Sequence, residues 1–150
     1  MTNLDLLQKT MLFRGSTTEE LETVLGLIQE RLIKPNAAIF TEKMAAESLY
    51  IIKSGVVRIS IMAGEGDEMG LLVLGPGDFF GELALVHEDS RMVNARAESA
   101  VELLVLSRKD FLALLDLDPR TGARILLVIA KLLAIRVKAN SERLKEMLLS

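Results

Sequence analysis

The chain predicts an α+β, mainly β fold, a small antiparallel barrel or sandwich of short strands set between helical ends. Three observations carry this. Apolar strand-like runs recur about ten residues apart through the middle of the chain, a spacing too tight for the crossover helices of a parallel sheet. Glycine-rich turns separate those runs. Helix caps and 3.6-residue periodicity occur only before and after them.

Residues 1–35 read as a helical lead-in. Thr17-Thr18-Glu19-Glu20 places a threonine three positions before Glu20, a capping box in which each side chain satisfies the other residue's backbone N–H. Leu21, Val24, Leu25 and Ile28 then share one helical face. Pro35-Asn36 closes this region, and strands occupy residues 36–106. Val57, Ile59 and Ile61 alternate with Arg58 and Ser60, the period of a half-buried strand. Gly55 precedes that strand, and Gly64-Glu65-Gly66-Asp67 turns it into a second, from Met69 to Leu74. Gly75-Pro76-Gly77-Asp78 ends the second, and Val101 to Leu106 is another.

Residues 107–148 return to helix. Ser107 caps a segment carrying Phe111, Leu114 and Leu115. Asp118-Pro119 opens the last helix, with the carboxylate at N-cap and proline at the first helical position. Gly122 lies in its first turn, and nothing breaks it before about Leu148. Leu126, Ala130, Leu133, Val137, Asn140, Leu144 and Met147 form a heptad seam along it. A second stripe holds Ile125, Val128, Leu132, Ile135 and Ala139. Two apolar stripes need two partners, so one is expected on the β domain and the other on a second copy in a homodimer. Burial of both within a monomer is the alternative.

The 150 residues suit one domain with a real core. Half of them are hydrophobic, which fills an interior and leaves apolar surface for a partner. A net charge of −3 argues against a large nucleic-acid footprint. There is no cysteine, which excludes disulfides, thiolate metal sites and cysteine nucleophiles. His87 is the only histidine, which argues against a zinc site or a Ser-His-Asp triad. The start, Met1-Thr2-Asn3-Leu4-Asp5, lacks the basic region of a signal peptide. Residues 125–135, the most apolar stretch, are interrupted by Lys131 and fall short of the roughly 20 residues that span a bilayer. A cytoplasmic protein with no membrane segment and no metal is expected.

Phe80-Gly81-Glu82-Leu83-Ala84-Leu85, with Arg91 close behind, carries the chemistry. Gly81 allows the backbone to approach a ligand. A short helix from Glu82 would aim free N–H groups at an anion. Arg91 offers a planar fork for phosphate oxygens. Glu82 would repel a phosphate, so its role is to accept hydroxyl protons, as from a sugar. A phosphate beside a ribose fits all three.

The order of elements, the glycine turn 75–78, the Phe80–Leu85 block with Arg91, and the run Leu49-Tyr50-Ile51-Ile52-Lys53-Ser54-Gly55 together resemble the cyclic nucleotide-binding domain. The similarity is to bacterial catabolite activator proteins and to regulatory subunits of cyclic AMP-dependent kinase. It covers about Leu12 to Leu148. The resemblance implies an antiparallel β-roll, or jelly-roll-like double-stranded β-helix, over 36–106 with a phosphate-binding cassette at 80–94. It implies that Gly81 meets the sugar phosphate, Glu82 binds the ribose 2′-hydroxyl and Arg91 pairs with the cyclic phosphate. Leu83, Ala84 and Leu85 would form the cassette helix, which in the family moves with the C-terminal helices. Cyclic AMP is the expected ligand and cyclic GMP the alternative, because no hydroxyl directly follows Arg91.

The chain departs from the family pattern where Met92, Val93 and Asn94 follow Arg91, and a bulky Met92 would crowd the phosphate or base. Asn36 and Lys43 stand where the family often has glycine in its first β turns. Arg136 lies near the expected base lid, with Asn140 or Ser141 one turn later as substitutes. Glu82 and Arg91 as a mere surface ion pair is the simpler alternative. The implied function is a non-catalytic sensor that signals through its last helix and its dimer to an unidentified protein. No helix-turn-helix follows that helix, so direct DNA binding is not expected. The alternative is a dimeric scaffold with a degenerate pocket. A hydrolase has no metal site or activating base to draw on.

Overall fold

The structure, a computed structural model, describes residues 1–149; Ser150, the last residue of the single domain read from the sequence, lies outside them. The chain begins with α1 (Asn3–Lys9), a 3-10 turn at Met11–Phe13 and α2 (Thr18–Leu25). Eight strands follow among the described residues: β1 (Gln29–Ile33), β2 (Ala38–Phe40), β3 (Ser48–Ser54), β4 (Val57–Met62), β5 (Glu68–Leu74), β6 (Phe79–Phe80), β7 (Asn94–Ala97) and β8 (Val101–Ser107). A second 3-10 turn, Glu82–Leu85, sits between β6 and β7, and α3 (Arg108–Leu117) and α4 (Pro119–Leu149) close the chain. The strands form two antiparallel sheets in the orders β1-β8-β3-β6 and β2-β7-β4-β5. The chain changes sheet at most connections, which gives the expected jelly-roll-like β-roll flanked by helices.

The caps read from the sequence are formed. Glu20 N donates to Thr17 Oγ1 at 3.1 Å while Thr17 N donates to Glu20 Oε1 at 3.0 Å. Asp110 N donates to Ser107 Oγ at 3.1 Å, and Asp118 Oδ1 accepts from Thr121 N at 3.3 Å. Gly55 turns β3 into β4 at a φ of 90°, and a Cβ there would lie 2.2 Å from the Ala100 carbonyl oxygen. Only glycine satisfies both constraints.

The lead-in departs from expectation. It is helical only to Leu25, and β1 lies inside the stretch read as helix. Four of the five β1 residues are exposed, so no alternation announces a strand. Backbone pairing to β8, from Gln29 with Val105 to Ile33 with Val101, creates it. Alternation in β4 also fails at Ser60, which is 1% exposed while Ile61 is only half-buried. The bulge beside it lies in β5, where Leu71 is left between the Ile59–Leu72 and Ser60–Gly70 pairs. β4 itself keeps an unbroken register with β7 through Ser60–Asn94, so Ser60 stays on the Arg58 side and is covered there. Ser60 Oγ then donates to Glu68 Oε1 at 2.8 Å.

Two cores meet at β3. Leu49 and Ile51 face the helices and pack with Phe111, Leu114, Ile125 and Ile129. Tyr50 and Ile52 face the space between the sheets, with Phe40, Val57, Ile59 and Phe80. A strand buried on both faces reads as an unbroken apolar run, as Leu49–Ile52 does. Phe111 is fully buried, and its truncation to alanine is expected to cost about 3–5 kcal/mol.

On α4 the stripe that packs on the domain is narrower than the sequence suggests. Thr121, Gly122, Ile125 and Ile129 are buried, Val128, Leu132, Leu126 and Leu133 partly so. Ile129, which belongs to neither stripe, is therefore central, whereas Ile135 and Ala139 are exposed. Every residue from Ala134 to Leu149 is exposed, including Val137, Asn140, Leu144 and Met147 of the heptad seam. That exposed segment is about 24 Å long at 1.5 Å per residue. Among the described residues no helix is long and apolar enough to cross a membrane, and no group of acidic or histidine side chains could hold a metal ion.

Candidate functional site

β6 delivers the chain to Gly81, whose φ of 78° is left-handed and turns it into Glu82–Leu85. A Cβ on Gly81 would lie 2.8 Å from Arg91 Nη1 and 3.1 Å from the Ser48 carbonyl oxygen. Glycine is required here by conformation and by space. The expected helix is a four-residue 3-10 turn with few aligned peptide dipoles, so charge for an anion must come from elsewhere.

Arg91 supplies it. Its backbone is fixed by Arg91 N donating to the Met44 carbonyl at 2.7 Å and by Lys43 N donating to the Arg91 carbonyl at 2.9 Å. Its Nη2 donates to the Ser48 carbonyl at 2.7 Å and its Nη1 to the Gly81 carbonyl at 3.5 Å. The guanidinium carbon lies 4.1 Å from the Phe40 ring centroid and 5.7 Å from that of Tyr50. Phe40, Tyr50 and Phe80 form one aromatic cluster beneath it. Arg91 is only 8% exposed, and its Nε is buried without a hydrogen-bond partner. Burial lowers its pKa below the ordinary guanidinium value, opposed by Tyr50 and by the carboxylates of Glu82 and Glu47. The result is a desolvated cation with an unused donor, a combination that favours an anionic ligand.

Glu82 is 6% exposed and does not pair with Arg91. Its Oε1 lies 2.6 Å from Nη1 of Arg136, which reaches over from α4. The simple surface ion pair between Glu82 and Arg91 is thus replaced by two buried groups with different partners. Both border a cavity of about 400 Å³, within the usual range for small-ligand sites. Gly81, Glu82, Leu83, Ala84, Arg91, Met92, Val93 and Arg136 all line it.

Asn140 does not line the cavity; one turn beyond Arg136, it is exposed on the outer part of α4. Met92 does not crowd the interior, because it is 80% exposed and stands at the rim. Asn94 turns away to accept from Glu42 N at 2.8 Å. Asn36 and Lys43 adopt φ values of 69° and 72°, taking the left-handed conformation that glycine often serves. Arg96 is structural, donating from Nη1 to the Asn36 carbonyl at 2.8 Å. His87 is exposed and lies 3.5 Å from Asp89, yet both border the cavity.

The sequence did not reveal the aromatic bed under Arg91 or the apolar wall of Ile59, Leu72 and Leu74. These residues come from five strands, β2 to β6, and locally each reads as ordinary core. The family block at Leu49–Gly55 was the one signal that could have drawn attention to Tyr50.

A model of the cyclic nucleotide-binding domain matches residues 30–118. The chain belongs to the cyclic nucleotide-binding domain family. This domain is 36% identical over 120 residues to the cyclic AMP receptor protein of Thermus thermophilus, covering 80% of this chain and 56% of that protein. It superposes with a TM-score of 0.82 on the N-terminal domain of a transcriptional regulator from Streptomyces coelicolor A3(2), at 26% identity, covering 90% and 96% of the two chains. The regulatory domain of Toxoplasma gondii PKA, crystallised with cAMP, matches at a TM-score of 0.67 and 34% identity over 73% of this chain and 42% of that one. The chain spans about half the length or less of the curated relatives it matches. The cyclic nucleotide-binding domain here thus combines a family fold with a buried arginine, a buried carboxylate and an open apolar cavity between them.

Proposed function

We propose that this domain binds a cyclic nucleotide, cyclic AMP in the first place, and reports its presence through α4 without catalysing a reaction. The observation that carries this is the buried Arg91, whose Nε is left without a partner at the wall of the cavity. A cyclic phosphodiester bears one negative charge, which matches one guanidinium. Glu82 would accept the ribose 2′-hydroxyl, Gly81 to Ala84 would let the backbone close on the sugar phosphate, and Met92 and Val93 would border the purine entrance. Ile59, Leu72 and Leu74 offer apolar surface to the base.

Glu82 also holds Arg136, so a ligand hydroxyl on Glu82 competes with or reshapes the contact that ties α4 to the pocket. Ligand shifts α4 only as far as it favours one arrangement of that contact over the other. Beyond Ala134 the exposed Val137 and Leu144 suit a second copy of the helix in a homodimer. A downstream protein would read the dimer, in the cytoplasm. Asn140, on that exposed segment, would reach a base only in such an assembly.

Thermal unfolding with cyclic AMP, cyclic GMP and 5′-AMP tests the reading. A ligand at 100 times its dissociation constant stabilises by about 2.7 kcal/mol, and cyclic AMP is expected to give the largest shift. A second reading, a scaffold with a degenerate pocket, draws on Met92 in place of a small residue and on the carbonyls that already engage both Nη atoms of Arg91. No shift with any of the three nucleotides would return that reading.

A further inference from the structure

We propose that Arg108, at the head of α3, is a positioning residue that fastens the Glu82–Leu85 turn to α3 and thereby couples the pocket to the α3–α4 pair. Nη1 of Arg108 donates to the Ala84 carbonyl at 2.9 Å and to the Ala46 carbonyl at 2.8 Å. Its own backbone N donates to the Glu47 carbonyl at 2.8 Å. Arg108 therefore bridges two segments that have no sequence proximity, and Arg91 bridges the same two from the other side. Arg91 holds Gly81 and Ser48; Arg108 holds Ala84 and Ala46. The pocket wall is thus clasped between two guanidinium groups, one facing the cavity and one rooted in a helix.

The second link in the chain is α3 itself. Gly122 of α4 packs so closely on α3 that a Cβ there would lie 2.4 Å from Leu115 Cδ2. Phe111 and Leu114 are buried in the same core as Ile125 and Ile129. A displacement of the 82–85 turn must either break the bonds to Arg108 or move α3, and α3 cannot move far without α4. The Ala84 and Ala46 carbonyls would lose a charge-assisted donor if Arg108 were removed. Glu88, 3.9 Å from Nη2 and exposed, adds only a surface contact.

The coupling to ligand rests on the cyclic-nucleotide reading above, but the clasp does not, and the experiment separates them. Hydrogen exchange of Ala84, Val86 and His87, whose amides are bonded within this turn, is measured on the ligand-free chain and on Arg108→Met. Exchange at these three is expected to quicken about tenfold, the loss of one net hydrogen bond, while amides of β3 and β8 keep their rates. Arg108→Lys, which keeps charge and donors, is expected to restore most of the protection. With cyclic AMP, Arg108→Met should bind about tenfold more weakly and lose the ligand-dependent change in α4 exchange. Unchanged exchange at 84, 86 and 87, or an equal rise throughout the core, would overturn the proposal. If the wild-type chain binds no nucleotide, the ligand-free comparison still decides Arg108, and only the reading of the pocket fails. Should Arg108→Met not fold, Arg108→Gln decides by the same exchange criterion.

Discussion

Replacing Arg91 by lysine isolates what the guanidinium fork contributes beyond its charge. In the wild-type chain the fork divides its labour: Nη2 holds the Ser48 carbonyl at 2.7 Å, Nη1 touches the Gly81 carbonyl at 3.5 Å, and the buried Nε remains for a ligand. A lysine ammonium has three N–H groups, but all on one nitrogen, so it cannot reproduce the spacing by which the fork holds Ser48 from Nη2 and presents Nε to phosphate. It also loses the flat contact with Phe40 at 4.1 Å. Losing one charge-assisted hydrogen bond of about 1.5–3 kcal/mol weakens affinity by about 10- to 150-fold. Titration calorimetry with cyclic AMP measures this directly, and thermal melts of the free proteins control for a general loss of stability. An Arg91→Lys chain that folds and binds within threefold of wild type would refute the role assigned to the fork.

Gly81→Ala should cost about 1–2 kcal/mol from its left-handed φ and also weaken nucleotide binding, because its Cβ meets Arg91. Gly77→Ala has the same handedness but open space, so it should show the stability cost in urea melts with unchanged affinity; equal effects on binding would refute the distinction. The carboxylates of Glu20 and Asp118 both have lowered pKa values, Glu20 chiefly through the Thr17 N–H and Asp118 chiefly through the Thr121 hydroxyl. Their contribution is complete above the ordinary values of 4.5 and 3.8 and is lost as pH falls through the lower folded values. Thr121→Val removes the single hydroxyl proton that the two carboxylates share, so urea melts between neutral and acid pH should show a shallower loss of stability than wild type, and an identical slope would contradict this. Val137→Asp with Leu144→Asp should convert a dimer to a monomer by light scattering while leaving the monomer fold intact. A wild-type chain already monomeric at high concentration would remove the basis for that prediction.

Local chemistry made much of this domain legible. Thr17 with Glu20, Ser107, and Asp118-Pro119 are short-range caps whose partners lie within three residues, so the sequence contains the whole interaction. The glycines at 55, 77 and 81 likewise mark positive φ at turns. The Phe80–Leu85 block with Arg91 pointed to the residues that border the cavity. β1 was invisible because its residues face solvent and its existence depends on β8, about seventy positions away. Ser60 was misplaced because it is covered on the Arg58 side of β4 and bonded there to Glu68 of the neighbouring strand, which alternation within β4 does not mark.

The sequence by itself determined the class of fold and the helix boundaries at their caps, and it singled out Gly81, Glu82 and Arg91 as candidates for a sugar phosphate. Those properties reside in residue type and short spacing. Only the tertiary structure decided that Glu82 pairs with Arg136, that Arg91 lies on Phe40 with one nitrogen unused, and that Arg108 clasps the turn from behind. Each of those joins segments separated by many residues, and their geometry follows from how two sheets and a helix pair pack. It also decided that Met92 stands in solvent, so the substitution that troubled the sequence leaves the cavity open.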